Sequence, residues 1–131
     1  MTKLQDIQDT FSLLDDWEDR YAYLIDLGRN LSDFPDEFCH DAYLVPGCTS
    51  RVWMILSFQN DAISIQGTSD AHIVRGLIAL VIATYGGKTV TEVGQVDMEA
   101  VFKDLGLSEH LSPNRRNGFF SMVEKIKQYR G

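Results

Sequence analysis

Cysteine is scarce in this 131-residue chain, where only Cys39 and Cys48 occur. Two thiols make no disulfide framework. There is no Cys-x-x-Cys pair, and His40, His72 and His110 are the only histidines, so a structural metal or cluster site would lack its usual donor set. Long apolar runs are missing as well. The longest, Gly76 to Tyr85, falls well short of the about 20 residues that a membrane span needs. The stretch from Met1 to Asp9 has no apolar segment of the kind that marks a signal peptide, so a cytosolic, reducing location is expected. In such a compartment both cysteines stay thiols, and the sequon Asn30-Leu31-Ser32 goes unused. Basic residues are in deficit too. A net charge of −7 argues against nucleic acid, whose phosphates require a basic surface. Repeats and low-complexity linkers are absent, and 44% apolar with 24% charged residues is an ordinary globular composition, so one domain over residues 1–131 is expected.

The acidity is unevenly spread. Residues 1–50 carry eleven acidic and three basic side chains, whereas residues 51–131 carry eight and nine. That excess could steer a basic partner, or simply form a solvated helical face.

Along the chain, Thr2 is in place to cap a first helix with Leu4, Ile7, Phe11 and Leu14 at helical spacing. Asp15 or Asp16 then caps a second, which buries Trp17, Tyr21, Leu24, Ile25 and Leu27 and ends at Gly28 or Asn30. Leu31 to Leu44 has no steady period and reads as a connecting loop. Arg51 to Phe58 is apolar on both parities, as in a strand covered on both faces, and Gln59-Asn60-Asp61 turns it into an alternating strand from Ala62 to Gln66. Thr68, Ser69 or Asp70 caps a third helix, apolar nearly all round and therefore central, which Gly86-Gly87 stops. Gly87-Lys88-Thr89 is no phosphate-binding loop, because the position that demands glycine is Ile82. Asp97 caps a short helix closed by Gly106, Leu107 to Leu111 forms a bridge, and Ser112-Pro113 opens a last helix packed through Phe119, Met122, Val123 and Ile126. Arg115 and Arg116 sit in its first turn, where the helix dipole disfavours cations. Two readings suit them: pairing with the acidic N-terminal half, or gripping a partner carboxylate.

The chemistry concentrates at Val45-Pro46-Gly47-Cys48-Thr49-Ser50-Arg51. Pro46 presets φ for a turn and Gly47 accepts the positive φ that a type II turn needs next, so Cys48 leaves a tight bend at the mouth of the most apolar strand. A buried packing thiol is the plain alternative. A Cys-His hydrolase would need one of the three histidines near Cys48, a dithiol oxidoreductase lacks the tight spacing, and a structural adaptor would need no thiol at all. A single thiol on a turn suits carriage of a group through sulfur exchange, which needs no metal and no second catalytic side chain.

Two segments then give this reading a name. Val45-Pro46-Gly47-Cys48-Thr49-Ser50-Arg51-Val52-Trp53 and Leu111-Ser112-Pro113-Asn114-Arg115-Arg116-Asn117-Gly118 closely resemble the signature segments of the SufE/CsdE family of sulfur acceptors. Gly67 to Leu77, Trp17 to Tyr21 and Leu27-Gly28 match as well, so the resemblance runs over nearly the whole chain. It implies an α+β fold with a small antiparallel sheet packed on helices, similar to iron–sulfur scaffold proteins. It also implies a protein without a cofactor of its own that takes sulfane sulfur from a pyridoxal-phosphate cysteine desulfurase, stimulates that enzyme, and passes sulfur on for iron–sulfur cluster assembly. Cys48 matches the acceptor cysteine, and Asp70 and Arg115 match the desulfurase-facing surface. Cys39 has no counterpart role in the family motif and is treated as structural or incidental.

Overall fold

The computed structural model describes residues 3–47 and 50–131. Helix α1 spans Leu4–Leu13 and α2 Trp17–Arg29. Thr2, expected as the first cap, lies outside the described residues; Lys3 takes the N-cap position, and its N–H donates to Asp6 at 3.0 Å. Asp16 caps α2 by accepting from the Glu18 N–H at 2.8 Å, as its short side chain and position suggest. Two 3₁₀ turns, Asp36–Phe38 and Asp41–Tyr43, interrupt the connection that follows.

Strands β1 (Val52–Gln59) and β2 (Ala62–Ser69) pair antiparallel, with Val52 opposite Ser69 and Gln59 opposite Ala62. Asn60 and Asp61 both adopt positive φ, 52° and 66°, which is the demand of a two-residue hairpin turn that twists with its strands. The first strand is not covered on both faces. Val52 and Met54 are buried, with Leu56 and Phe58 packed partly against the core, while Trp53 and Ile55 on the opposite face are only half-buried. With two strands and helices on one side, no described element covers the outer face fully. The second strand also runs past Gln66, to Ser69.

Helix α3 (His72–Tyr85) is the centre of the molecule, burying Leu77, Ile78, Leu80 and Val81 to 1% exposure or less. Each such side chain contributes about 1.5–3 kcal/mol of burial free energy. Ala71, not Thr68, Ser69 or Asp70, occupies its N-cap. The extension of β2 leaves Thr68 and Ser69 in the sheet, so the helix starts one residue later than a capping side chain would dictate. Gly28 does not end α2 either, since it lies inside the helix and Asn30 is the C-cap. Its reason is long-range. A Cβ on Gly28 would stand 2.6 Å from the Gly76 nitrogen, and one on Gly76 would stand 2.3 Å from the Leu24 carbonyl oxygen, so α2 and α3 touch backbone to backbone here.

Past Gly86, α4 (Val90–Gln95) starts with a capping box that the sequence reading missed: Thr89 accepts from the Glu92 N–H and Glu92 from the Thr89 N–H. Helix α5 (Met98–Asp104) is capped by Asp97, and Gly106 follows at φ +75°. The expected bridge after it contains a one-turn helix, α6 (Leu107–His110). Helix α7 (Pro113–Gln128) begins with Ser112 accepting from the Arg115 N–H and buries Phe119, Met122, Val123 and Ile126, as its start signal and periodicity predict. No described helix is long and apolar enough to cross a membrane.

Candidate functional site: the stem of the Cys48 turn

Cys48 and Thr49 lie outside the described residues, so the site is built from what flanks them. On the N-terminal side the Val45 N–H donates to the Val52 carbonyl at 2.8 Å, which closes the base of the segment from Pro46 to Arg51. Gly47 has φ +82°, the conformation expected after Pro46. Glycine is needed twice over, because a Cβ there would stand 2.8 Å from the Ser121 hydroxyl on α7. Ser121 is itself fixed by donating to the Asn117 carbonyl at 3.0 Å.

On the C-terminal side both main-chain groups of Arg51 are held. Its N–H donates to the Asp70 carboxylate at 3.2 Å, and its carbonyl accepts from the Ser69 hydroxyl at 2.6 Å and from the Asp70 N–H at 3.4 Å. Ser69, 8% exposed, also accepts from the Ala71 N–H at 3.2 Å, tying the strand end to the start of α3. The sequence offered Ser69 and Asp70 as helix caps; their hydroxyl and carboxylate instead serve the loop stem, pairings across eighteen and nineteen residues that no local signal carries.

Beside Ser50 a cavity of about 30 Å³ opens between the sheet, α3 and α7. Val52, Val74, Leu77, Phe119 and Met122 make it apolar, and Arg115 stands at its border. Asp70 and Arg115 are both exposed. The structure thus brings both to the stem of the Cys48 turn, one through Arg51 and the other through this cavity. Neither Arg115 nor Arg116 forms an ion pair among the described residues; Arg116 reaches the Ser108 carbonyl at 3.4 Å. The reading in which they pair with the acidic N-terminal half therefore finds no support there.

Cys39 is a half-buried free thiol at the end of the first 3₁₀ turn. The histidines sit on three separate elements. His40 accepts from the Ala42 N–H through Nδ1, His72 opens α3, and His110 lies against the Trp17 ring with its carbonyl accepting from the Tyr21 hydroxyl. Among the described residues no three His, Cys, Asp or Glu side chains are grouped to hold a metal ion. Two groups on other elements titrate away from their ordinary values. The buried Tyr85 phenol is pushed up to about 12 by loss of water and then by Glu124 and Asp97, and the Thr89 N–H lowers the Glu92 carboxyl.

Comparison with known proteins gives consistent results. Residues 5–130 match the family model described as SufE, an Fe-S metabolism associated domain. An uncharacterised SufE-like protein of Rhizobium meliloti is 45% identical, with 97% of this chain and 94% of that one covered. The cysteine desulfuration protein SufE of Wigglesworthia glossinidia brevipalpis is 35% identical over 90% of this chain and 83% of its own. Among solved structures, the solution structure of a hypothetical protein from Thermus thermophilus superposes with a TM-score of 0.76 at 17% identity, covering 97% of this chain and 93% of the other. That likeness concerns the fold, an α+β arrangement with a two-stranded antiparallel sheet.

Proposed function

The chain belongs to the SufE family, a domain associated with Fe–S metabolism, and from that premise we propose that it is a carrier of sulfane sulfur with Cys48 as the acceptor. The Cys48 thiolate attacks the outer sulfur of a persulfide on a pyridoxal-phosphate cysteine desulfurase. A new sulfur–sulfur bond forms on Cys48, the donor's own sulfur–sulfur bond breaks, and its electron pair leaves with the donor cysteine as a thiolate. The transferred sulfur keeps its proton or passes it to solvent. A second exchange of the same kind hands the sulfur to an acceptor thiol in cluster assembly and restores Cys48. No external oxidant enters, the cofactor belongs to the donor, and the protein alone turns nothing over. The setting is the cytosol, with one domain over residues 1–131 acting as the carrier.

The observation that supports this reading best is the stem. A five-residue stretch between Val45 and Arg51 carries the thiol, with both its ends pinned by hydrogen bonds. An anchored stem lets a thiol be presented to another protein without disturbing the core. Arg115, exposed at the cavity border and without an ion pair among the described residues, gives a cation for a carboxylate of the desulfurase, and Asp70 lies at the opposite flank.

Stimulation of a cysteine desulfurase by the protein provides the test. Cys48→Ser is expected to abolish it, Arg115→Ala to weaken it about tenfold through loss of a charge-assisted contact, and Cys39→Ser to leave it intact. Full stimulation by Cys48→Ser would overturn the carrier reading, and unchanged stimulation and affinity in Arg115→Ala would remove Arg115 from the docking surface.

A further inference from the structure

Four hydrogen bonds fix which way the main chain of each strand points. The Arg51 carbonyl accepts from the Asp70 N–H, so the main-chain groups of the odd-numbered residues of β1 face β2. The Val52 carbonyl accepts from Val45, on the far side. On β2, the Ile63 N–H donates to the Lys88 carbonyl and its carbonyl accepts from Gly87, both away from β1. In an antiparallel pair the N–H and C=O of one residue point the same way, and direction alternates along the strand. Ile65 and Gly67 therefore face outward like Ile63, and among the described residues their main-chain groups have no partner.

These groups do not face open solvent on a flat edge. They line a groove of about 470 Å³ whose floor is Ala79, Ile82 and Ala83 of α3 and whose far wall, at and just past the end of α2, mixes Leu27 and Leu31 with Asn30 and Ser32. Ile65 is 8% exposed, and Gly67 is buried as well. Main-chain donors and acceptors that line a groove require a partner, and in the free protein water in the groove serves.

We propose that this edge is a docking site for an extended, apolar segment of a partner protein, which adds to the sheet as a third strand. Strand addition explains what else lines the groove. Main-chain hydrogen bonds to Ile65 and Gly67 would align the segment, and its inward side chains would rest on α3, where Ala79 and Ala83 leave room for small branched residues. Charge gives the flanks. Asp26 is shared with Arg29 at 3.2 Å, but Asp33, just past the α2 wall, is exposed and has no ion pair among the described residues, and the N-terminal part of the chain is strongly acidic, so lysine or arginine beside the apolar segment is favoured. A second copy of this chain fits poorly. Gly87 and Lys88 already cover the edge at Ile63, and the free stretch from Ile65 to Gly67 is only about 10 Å long. Alone it buries far less than the about 800 Å² per partner of a stable interface. This inference stands apart from the sulfur-carrier reading and needs no role for Cys48.

The test uses the isotope-labelled full chain and a synthetic peptide that alternates valine with threonine between terminal lysines. Binding is expected at millimolar peptide or below, with amide exchange at Ile65 and Gly67 slowed at least about tenfold in the saturated complex. A peptide N-methylated on its alternate amides should not bind, and Ala83→Arg, which fills the groove with a good helix former, should abolish binding while the melting temperature holds. Absence of binding at millimolar peptide, or binding that leaves exchange at Ile65 and Gly67 unchanged, would overturn the proposal. So would protection of the same two amides that grows with protein concentration alone, since the occupant would then be a second copy.

Discussion

The centre of this molecule and its proposed working edge are held by different kinds of force. Around α3, stability comes from area and closeness, with side chains buried to 1% exposure or less and two glycines that let α2 and α3 meet at the backbone. Around the Cys48 turn it comes from a few hydrogen bonds that can be counted: Val45 to Val52, and Ser69 and Asp70 to Arg51. The first kind is hard to alter without unfolding the chain. The second can be changed bond by bond, so a stem of this design can be tuned in evolution while the core stays fixed.

Substitutions can break that contrast or sharpen it. The largest effect belongs to Gly76→Ala, whose new Cβ meets the Leu24 carbonyl oxygen at 2.3 Å with main chain on both sides. Overpacking of this kind should cost about 3 kcal/mol in urea unfolding or prevent folding altogether. At the stem, Ser69→Ala removes one donor from the Arg51 carbonyl and one acceptor from the Ala71 N–H, at about 1–2 kcal/mol. A loss as large as that of Gly76→Ala would make the stem part of the core.

Tyr85 tests the core from the electrostatic side. It is fully buried, and its hydroxyl has no hydrogen-bond partner among the described residues. Tyr85→Phe should therefore leave stability at neutral pH unchanged or raise it by about 1 kcal/mol. The phenol ionises near 10 when unfolded and at about 12 when folded. Below pH 10 both states hold the proton and there is no effect. Between these values the unfolded state loses it first, so stability should fall by about 1.4 kcal/mol per pH unit, and this slope should vanish in Tyr85→Phe. An alkaline profile identical in the two proteins would contradict the assignment. The smallest effect is expected for Arg115→Ala, within about 0.5 kcal/mol of the parent, because its exposed side chain has no ion pair among the described residues to lose. Its consequence should appear only with the desulfurase present.

What could be read from the sequence follows the reach of each interaction. Asp16, Asp97, Gly106, and Ser112 with Pro113 act within one turn of chain, so their roles are visible in local spacing. The Pro46-Gly47 bend is legible for the same reason, and so is the central place of α3, which is apolar nearly all round. The capping box of α4 was present in Thr89 and Glu92 but has little apolar periodicity behind it. Gly28 inside α2 and Ser69 on Arg51 answer to partners far along the chain, and their residue types fit a helix end and a helix cap equally well. The outer face of β1 misled in a different way, since Trp53 and Ile55 read as buried where no described element forms a second layer on the sheet. Asp70 and Arg115 came from likeness to a family, and the stem's hydrogen bonds and cavity supply the physical setting for both.

The central claim is that one thiol on an anchored turn carries sulfur. Its most direct measurement is the intact mass of the protein after incubation with a cysteine desulfurase and cysteine, beside Cys48→Ser and Cys39→Ser. The account predicts a gain of one sulfur, about 32 Da, that reductant removes and that only Cys48→Ser abolishes. A folded protein that gains no sulfur from any of a range of desulfurases, or one that gains it equally in Cys48→Ser, would contradict it.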